Sequence, residues 1–350
     1  MVSELVISRP DDWHLHLRDG DGMAAVVSHS ARRFARAIVM PNLVPPVTVT
    51  EQALAYRERI LAAVPDELDF DPLMTLYLTD ETTAEEIRLA HDDEHVVAVK
   101  LYPAGATTNS DSGVTDLERV MPVLEEMAAL GMPLLVHGET TDGAVDIFDR
   151  EKDFLDTVLG PLMRRVPGLK LAVEHITTAD AVDWVLHAPP RVAATITAHH
   201  LLLDRNAIFA GGLSPHHYCL PVLKRRRHQE ALLWAATSGN PRFFLGTDSA
   251  PHPRRNKEAP RGCAGIFTAH AAIELYAEVF DEAGALDRLE GFASHYGADF
   301  YGLPRNRDHL KLVRREWSVP EHYPFGDDEL VPLRAGQSVA WSLVESADTR

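Results

Sequence analysis

Eight short apolar runs, separated by longer amphipathic stretches, constrain the fold of this chain more than any other feature. They cover residues 13–17, 37–40, 73–78, 96–101, 134–136, 171–173, 192–196 and 243–245. Each is brief and mostly non-alternating, the pattern of parallel strands buried on both faces. Between them, residues 50–64, 115–130, 178–187, 226–238 and 265–280 carry apolar side chains at helical spacing. The stretch 115–130 opens on Thr115 and Glu118, the spacing of a capping box. Eight strand–helix units predict an α/β fold, a (β/α)8 TIM barrel closed by right-handed crossovers. A doubly wound open sheet competes, but no GxGxxG follows the first run. The barrel is expected over residues 1–302. Residues 303–350, richer in Pro and charge, are expected to form a C-terminal extension packed on it. Its strands fall at 310–313 and 338–343, with an N-terminal strand at 5–8 as a pairing partner.

Composition removes several function classes. The chain has 34 Lys and Arg against 52 Asp and Glu, a net charge of −18, which argues against a nucleic-acid backbone as partner. The basic run Lys224–Arg227 is too short to change that. No window approaches the ~20 apolar residues of a membrane span, and residues 1–14 lack the basic and apolar regions of a secretory signal. Two cysteines, Cys219 and Cys263, make neither a disulfide framework nor a cysteine-type zinc site and read as small hydrophobes. A reducing, cytoplasmic setting is expected. Histidine is the unusual residue, with 18 copies, several at the ends of apolar runs.

In a barrel all C-terminal strand ends converge on one mouth, where active sites sit. Run one carries His14 and His16, run two leads to Asn42, and run four holds Lys100. Run five is followed by His137, run six by His175, and run eight by Asp248. His14 and His16 share one face of a strand and can reach one ion, and imidazole suits zinc and similar divalent metals. An isolated HxH is more often two half-exposed histidines, but His137 and His175 at the same mouth are hard to explain by packing. Lys100 lies in VVAVKLYP, where desolvation lowers its pKa. The alternatives are a lysine that snorkels to solvent or pairs with a carboxylate, and, beside four histidines, an amine that takes up carbon dioxide as a carbamate bridging two metals. Asp248 can ligate a metal and carry a proton, or simply cap the next helix. Arg18 offers a fork to an anionic substrate, or a salt bridge to Asp19 or Asp21. His252 reads as a loop histidine. Residues 103–114 (PAGATTNSDSGV) exceed an ordinary βα loop and have the makings of a lid. Gly211 and Gly212 are a weak signal for a phosphate site.

The segments RPDDWHLHLRDG (9–20), VMPNLVPPVT (39–48), KLYPAGATTNSDSGVT (100–115), PLLVHGE (133–139), EHITT (174–178), HHYCLPVLK (216–224) and FLGTDSAPH (244–252) together resemble the dihydroorotase family. The likeness is to its shorter bacterial and yeast type, within the amidohydrolase superfamily, and covers nearly the whole chain. It implies a binuclear zinc barrel for reversible cyclisation of N-carbamoyl-L-aspartate to L-dihydroorotate, the third step of pyrimidine synthesis. By that resemblance His14, His16 and Asp248 hold one zinc and His137 and His175 the other. Carboxylated Lys100 and a hydroxide, the nucleophile, bridge them, and Asp248 is the general acid/base. The same resemblance assigns Arg18, Asn42 and His252 to the substrate carboxylate, with His16 and His137 also facing substrate. Main-chain groups of Leu220 and Ala264 would meet the ring amides, and Thr107 and Thr108 would sit on the closing loop. A homodimer is common in the family. Hydantoinase-like hydrolysis, a non-catalytic assembly subunit and a metal store are the alternatives. Arg18 argues against neutral substrates, and the complete ligand set argues against a lost activity.

Overall fold

The computed structural model describes residues 2–344. After β1 (Glu4–Ser8) come eight parallel strands, which pair only with their sequence neighbours. They are β2 (Asp11–Leu15), β3 (Arg36–Val39), β4 (Asp71–Tyr77), β5 (Val96–Leu101), β6 (Leu134–Val136), β7 (Leu171–Val173), β8 (Val192–Ile196) and β9 (Phe243–Leu245). Helices alternate with them, giving the expected (β/α)8 barrel. Each overlaps one of the apolar runs, because a strand covered on both faces leaves no room for polar alternation. However, β2 is shifted two residues towards the N-terminus and ends at Leu15, so His16 lies just beyond the strand expected to carry it.

The first and last strands meet through few bonds. Leu15 bridges Ser249, His16 N donates to Ser249 O (3.1 Å), and Asp248 N donates to His14 O (2.9 Å). The buried Asp12 carboxylate reinforces this seam by accepting from Thr247 N (2.8 Å) and Thr247 Oγ1 (2.6 Å). Inside the barrel lies a small apolar layer that includes Trp13, Ile38, Ala98, Leu135, Ala172 and Phe244. The helix Tyr296–Tyr301 plugs its floor, with Tyr301 stacked on Trp13 at 4.8 Å between ring centroids. Gly297 is required there, since a Cβ would lie 1.9 Å from Trp13 Nε1. The larger apolar cluster fills the space between sheet and outer helices.

Three local expectations need correction. The helix expected from Thr115 begins at Leu117, capped by Asp116, because Thr115 instead gives its N–H and hydroxyl to Asp80. The helix expected from Gly265 begins at Ala272, since Ile266 and Phe267 form bridges to Ser249 and Pro332. The single strand expected at 338–343 is two.

The C-terminal strands are β10 (His309–Val313), β11 (Trp317–Ser318), β12 (Tyr323–Phe325), β13 (Asp328–Leu330), β14 (Ser338–Val339) and β15 (Ser342–Leu343). β1 pairs antiparallel with β10, which also pairs with β15. Residues 345–350 of the expected extension lie outside the described residues. Among the described residues no helix is long and apolar enough to cross a membrane.

Candidate metal centre at the barrel mouth

Strand alternation aims the key side chains inward. Ala98, Leu135, Ala172 and Ala193 belong to the interior layer. Residues two further on share their face, which places Lys100, His137, Glu174 and Thr195 above that layer. His175 has the opposite parity, and a left-handed backbone there (φ 40°) breaks the alternation. Arg18 (φ 65°) and Asp248 (φ 44°) are likewise left-handed without being glycine. Such conformations cost about 1–3 kcal/mol each and collect at functional sites.

His14 Nε2 lies 3.4 Å from His16 Nε2, and Asp248 Oδ1 lies 3.5 Å from the first and 3.2 Å from the second. Donors on one tetrahedral zinc are about 3.3 Å apart. These side chains are therefore set at ligand spacing. The His14 Nδ1–H donates to Glu174 Oε2 (2.8 Å), which also accepts from Thr195 Oγ1 (2.7 Å). That fixes the tautomer and leaves Nε2 as the free donor. Burial drives the His14 pKa well below its usual value and raises Glu174 to about 7. His175 packs edge-on against both His14 and His137, with ring centroids 4.9 Å apart in each case. His137 Nε2 is 3.0 Å from Glu139 Oε2.

Lys100 is fully buried among these groups. Its Nζ has no hydrogen-bond partner and stands 5.1 Å from the Tyr102 ring centre. Burial lowers its pKa to about 8, opposed by Glu174 and Asp248. Burial thereby favours its neutral amine. Buried polar atoms without partners are rare, yet His175 Nδ1, Tyr102 Oη, Glu139 Oε1 and Glu174 Oε1 are further cases in the described structure. The donors at the mouth, His14, His16 and Asp248 above all, suit a divalent metal ion.

The mouth also gathers Arg18, Asn42, Thr107, Thr108, Leu220 and Ala264 around the same cavity. Arg18 does not pair with Asp19, which is taken by Arg59 at 2.8 Å. Its guanidinium instead donates to Pro251 O (2.9 Å) and contacts His252 Nε2 (2.9 Å). Asp248 caps no helix, since the next begins at Arg254 after Pro253. The 103–114 loop lies over the cavity. Asn42 Nδ2 donates to Thr108 O (3.0 Å), and Thr108 Oγ1 donates to Ala264 O (3.3 Å). A Cβ at Gly211 or Gly212 would meet nothing within 4 Å, and neither glycine lines this cavity.

Sequence reasoning overlooked Glu139, Glu174, Thr195 and Lys257. The first two stand beside ligand-type histidines, in HGE and EH, and that adjacency was the available signal. Lys257 had none. Its Nζ donates to Tyr218 O (2.8 Å), Cys263 O (2.9 Å) and Gly265 O (2.7 Å), clamping the two loops that carry Leu220 and Ala264. Lys257→Met strands three carbonyls and is expected to cost about 3 kcal/mol. Thermal unfolding should show a Tm lowered by roughly 5 °C; an unchanged Tm would mean the clamp holds nothing.

The amidohydrolase family model matches residues 7–310. The dihydroorotase of Nitrosomonas europaea is 64% identical over 344 residues, covering 98% of this chain and 99% of the relative. Among solved structures, a dihydroorotase from Campylobacter jejuni superposes with a TM-score of 0.90 at 37% identity, over 99% of both chains. The dihydroorotase from Saccharomyces cerevisiae, in complex with 5-fluoroorotic acid, gives 0.89 at 33% identity, over 98% of this chain and 99% of that one.

Proposed function

This chain belongs to the amidohydrolase family and, within it, to the dihydroorotases, and from that premise we propose that it interconverts N-carbamoyl-L-aspartate and L-dihydroorotate, as a cytoplasmic homodimer serving pyrimidine synthesis. The observation that carries this reading is a buried, partnerless Lys100 close to His14, His16, His175 and Asp248, at a mouth whose cavity is also lined by His137 and Arg18. His14, His16 and Asp248 would hold one zinc ion, and His137 and His175 the other, with carboxylated Lys100 between them. When bound, the ions polarise the scissile carbonyl and make hydroxide available near neutral pH.

The remaining steps belong to the chain's own residues. Arg18 pairs with the substrate carboxylate, helped by Asn42 and His252, and so fixes the ring relative to Asp248. Main-chain groups of Leu220 and Ala264 hold the ring amides. In ring opening the Asp248 carboxylate takes the proton of the attacking water and delivers it to the departing amide nitrogen. In ring closure it gives that proton to the departing oxygen. The loop of Thr107 and Thr108 excludes water while this happens. Residues 1–302 make up the catalytic barrel in this reading, and residues 303–350 an extension packed on it.

The test is ring opening of L-dihydroorotate, followed by ultraviolet absorbance with metal content measured alongside. Activity is expected with two zinc ions at the mouth, lost on chelation and restored by zinc. Two metals without activity would sink the substrate. Arg18→Ala is expected to raise KM by about 10- to 100-fold, the worth of one charge-assisted hydrogen-bonded contact. Its metal content should not change. A KM within twofold of the parent would remove Arg18 from substrate binding.

A further inference from the structure

A second cluster of ligand-type side chains lies outside the donor set already described. His199 and His200 sit on the short helix Ala198–Leu202 that follows β8, and Cys219 lies in the segment leading to Leu220. One donor atom from each falls within 4.8 Å of the others. Among the described residues only this trio and His14, His16 and Asp248 meet that condition. All three members are buried, at 0%, 2% and 1% exposure in order. We propose that His199, His200 and Cys219 bind a zinc-class divalent ion, separate from the ions at the barrel mouth.

The geometry suits such an ion. Cys219 Sγ and His200 Nε2 are 3.8 Å apart. A tetrahedral zinc with one sulfur and one nitrogen ligand holds them about 3.5 Å apart. The Pro221 carbonyl oxygen converges on the same point, 3.0 Å from His200 Nε2 and 3.3 Å from Cys219 Sγ, and supplies a fourth donor. His200 Nδ1 lies 2.7 Å from Thr197 Oγ1, which can accept its proton and orient the ring as partners of ligating histidines do. His199 is the independent sign: neither of its ring nitrogens has a hydrogen-bond partner, although the residue is fully buried. A buried imidazole left so is destabilising, and an ion at this point would satisfy it.

The chemistry balances simply. The thiol loses its proton to solvent as the metal–sulfur bond forms, so one proton is released per ion. The His200 ring proton moves from Nε2 to Nδ1, with no net change. Two imidazoles and a thiolate select zinc or cobalt over magnesium or calcium. Bound there, the ion would tie the main chain beside Leu220 to the helix after β8.

Cobalt tests this, because the donors at the mouth include no sulfur. Protein produced with cobalt in place of zinc is expected to show a thiolate-to-cobalt charge-transfer band in the near ultraviolet. Cys219→Ser should lose both that band and one metal ion per chain. His199→Gln provides a second variant if Cys219→Ser fails to fold, since His199 makes no bond within the protein that would be lost. It too should hold one ion fewer. A cobalt protein without the band, or equal metal content in the parent and in folded His199→Gln, overturns the site. Neither result bears on activity towards dihydroorotate, so failure here leaves the proposed reaction standing.

Discussion

Asp248→Asn is expected to lower kcat for ring opening by about 1,000-fold, within the 100- to 10,000-fold range of a positioned acid–base group. The substitution isolates chemistry from folding. Asparagine has the same size and tolerates the left-handed backbone (φ 44°) that residue 248 adopts. It keeps an oxygen near His14 and His16 but cannot carry the proton between water and amide nitrogen. The loss should appear in both reaction directions, because the proposed mechanism uses the same carboxylate in each. Measuring kcat and metal content together decides the cause. A fall of less than tenfold at full metal content would move the proton-transfer role to another residue.

Lys100→Ala is the second large effect. In the proposed site this buried side chain would link the two halves of the donor set, and the substitution removes it. Activity is expected to drop by at least about 1,000-fold, equivalent to roughly 4 kcal/mol of transition-state stabilisation. Metal content should fall as well. Carbon-13 NMR supplies a readout beyond activity. Protein equilibrated with labelled bicarbonate should show a carbamate carbon, and Lys100→Ala should not. A metal-replete parent lacking that signal would show that Lys100 acts as a plain amine. The lowered pKa works in favour of the carbamate, since carbon dioxide adds only to the neutral amine, and that form is populated at pH 7 once burial has brought the group to about 8.

Strands and candidate donors were legible in the sequence for the same reason. A barrel strand must be apolar on both faces, so the polar residue that ends it stands out, as His137 does after LLV and Lys100 within VVAVKL. Spacing gave less where one residue answers to a distant partner. Thr115 has the spacing of a cap but is taken by Asp80. Ile266 has helical spacing but closes a bridge to Ser249. His175 breaks strand parity through a backbone angle that no side-chain pattern records. Glu174 was hidden because its value lies in holding His14, 160 positions away. Lys257, whose three acceptors are all main-chain carbonyls, leaves no trace in residue types.

The seam between β2 and β9 also dictates timing. His14 and His16 leave the ribosome early, whereas Asp248 follows about 230 residues later. At 5–20 residues per second, that gap is about 10 to 50 s. Through that interval the nascent chain offers two neighbouring imidazoles with no carboxylate opposite them, and the last strand that would hold them in register does not yet exist. The His14–His16–Asp248 trio is thus assembled by the same bonds that complete the barrel, His16 to Ser249 and Asp248 to His14. Any ion that needs the full trio can be captured only late in the life of each molecule, after the polypeptide has closed on itself.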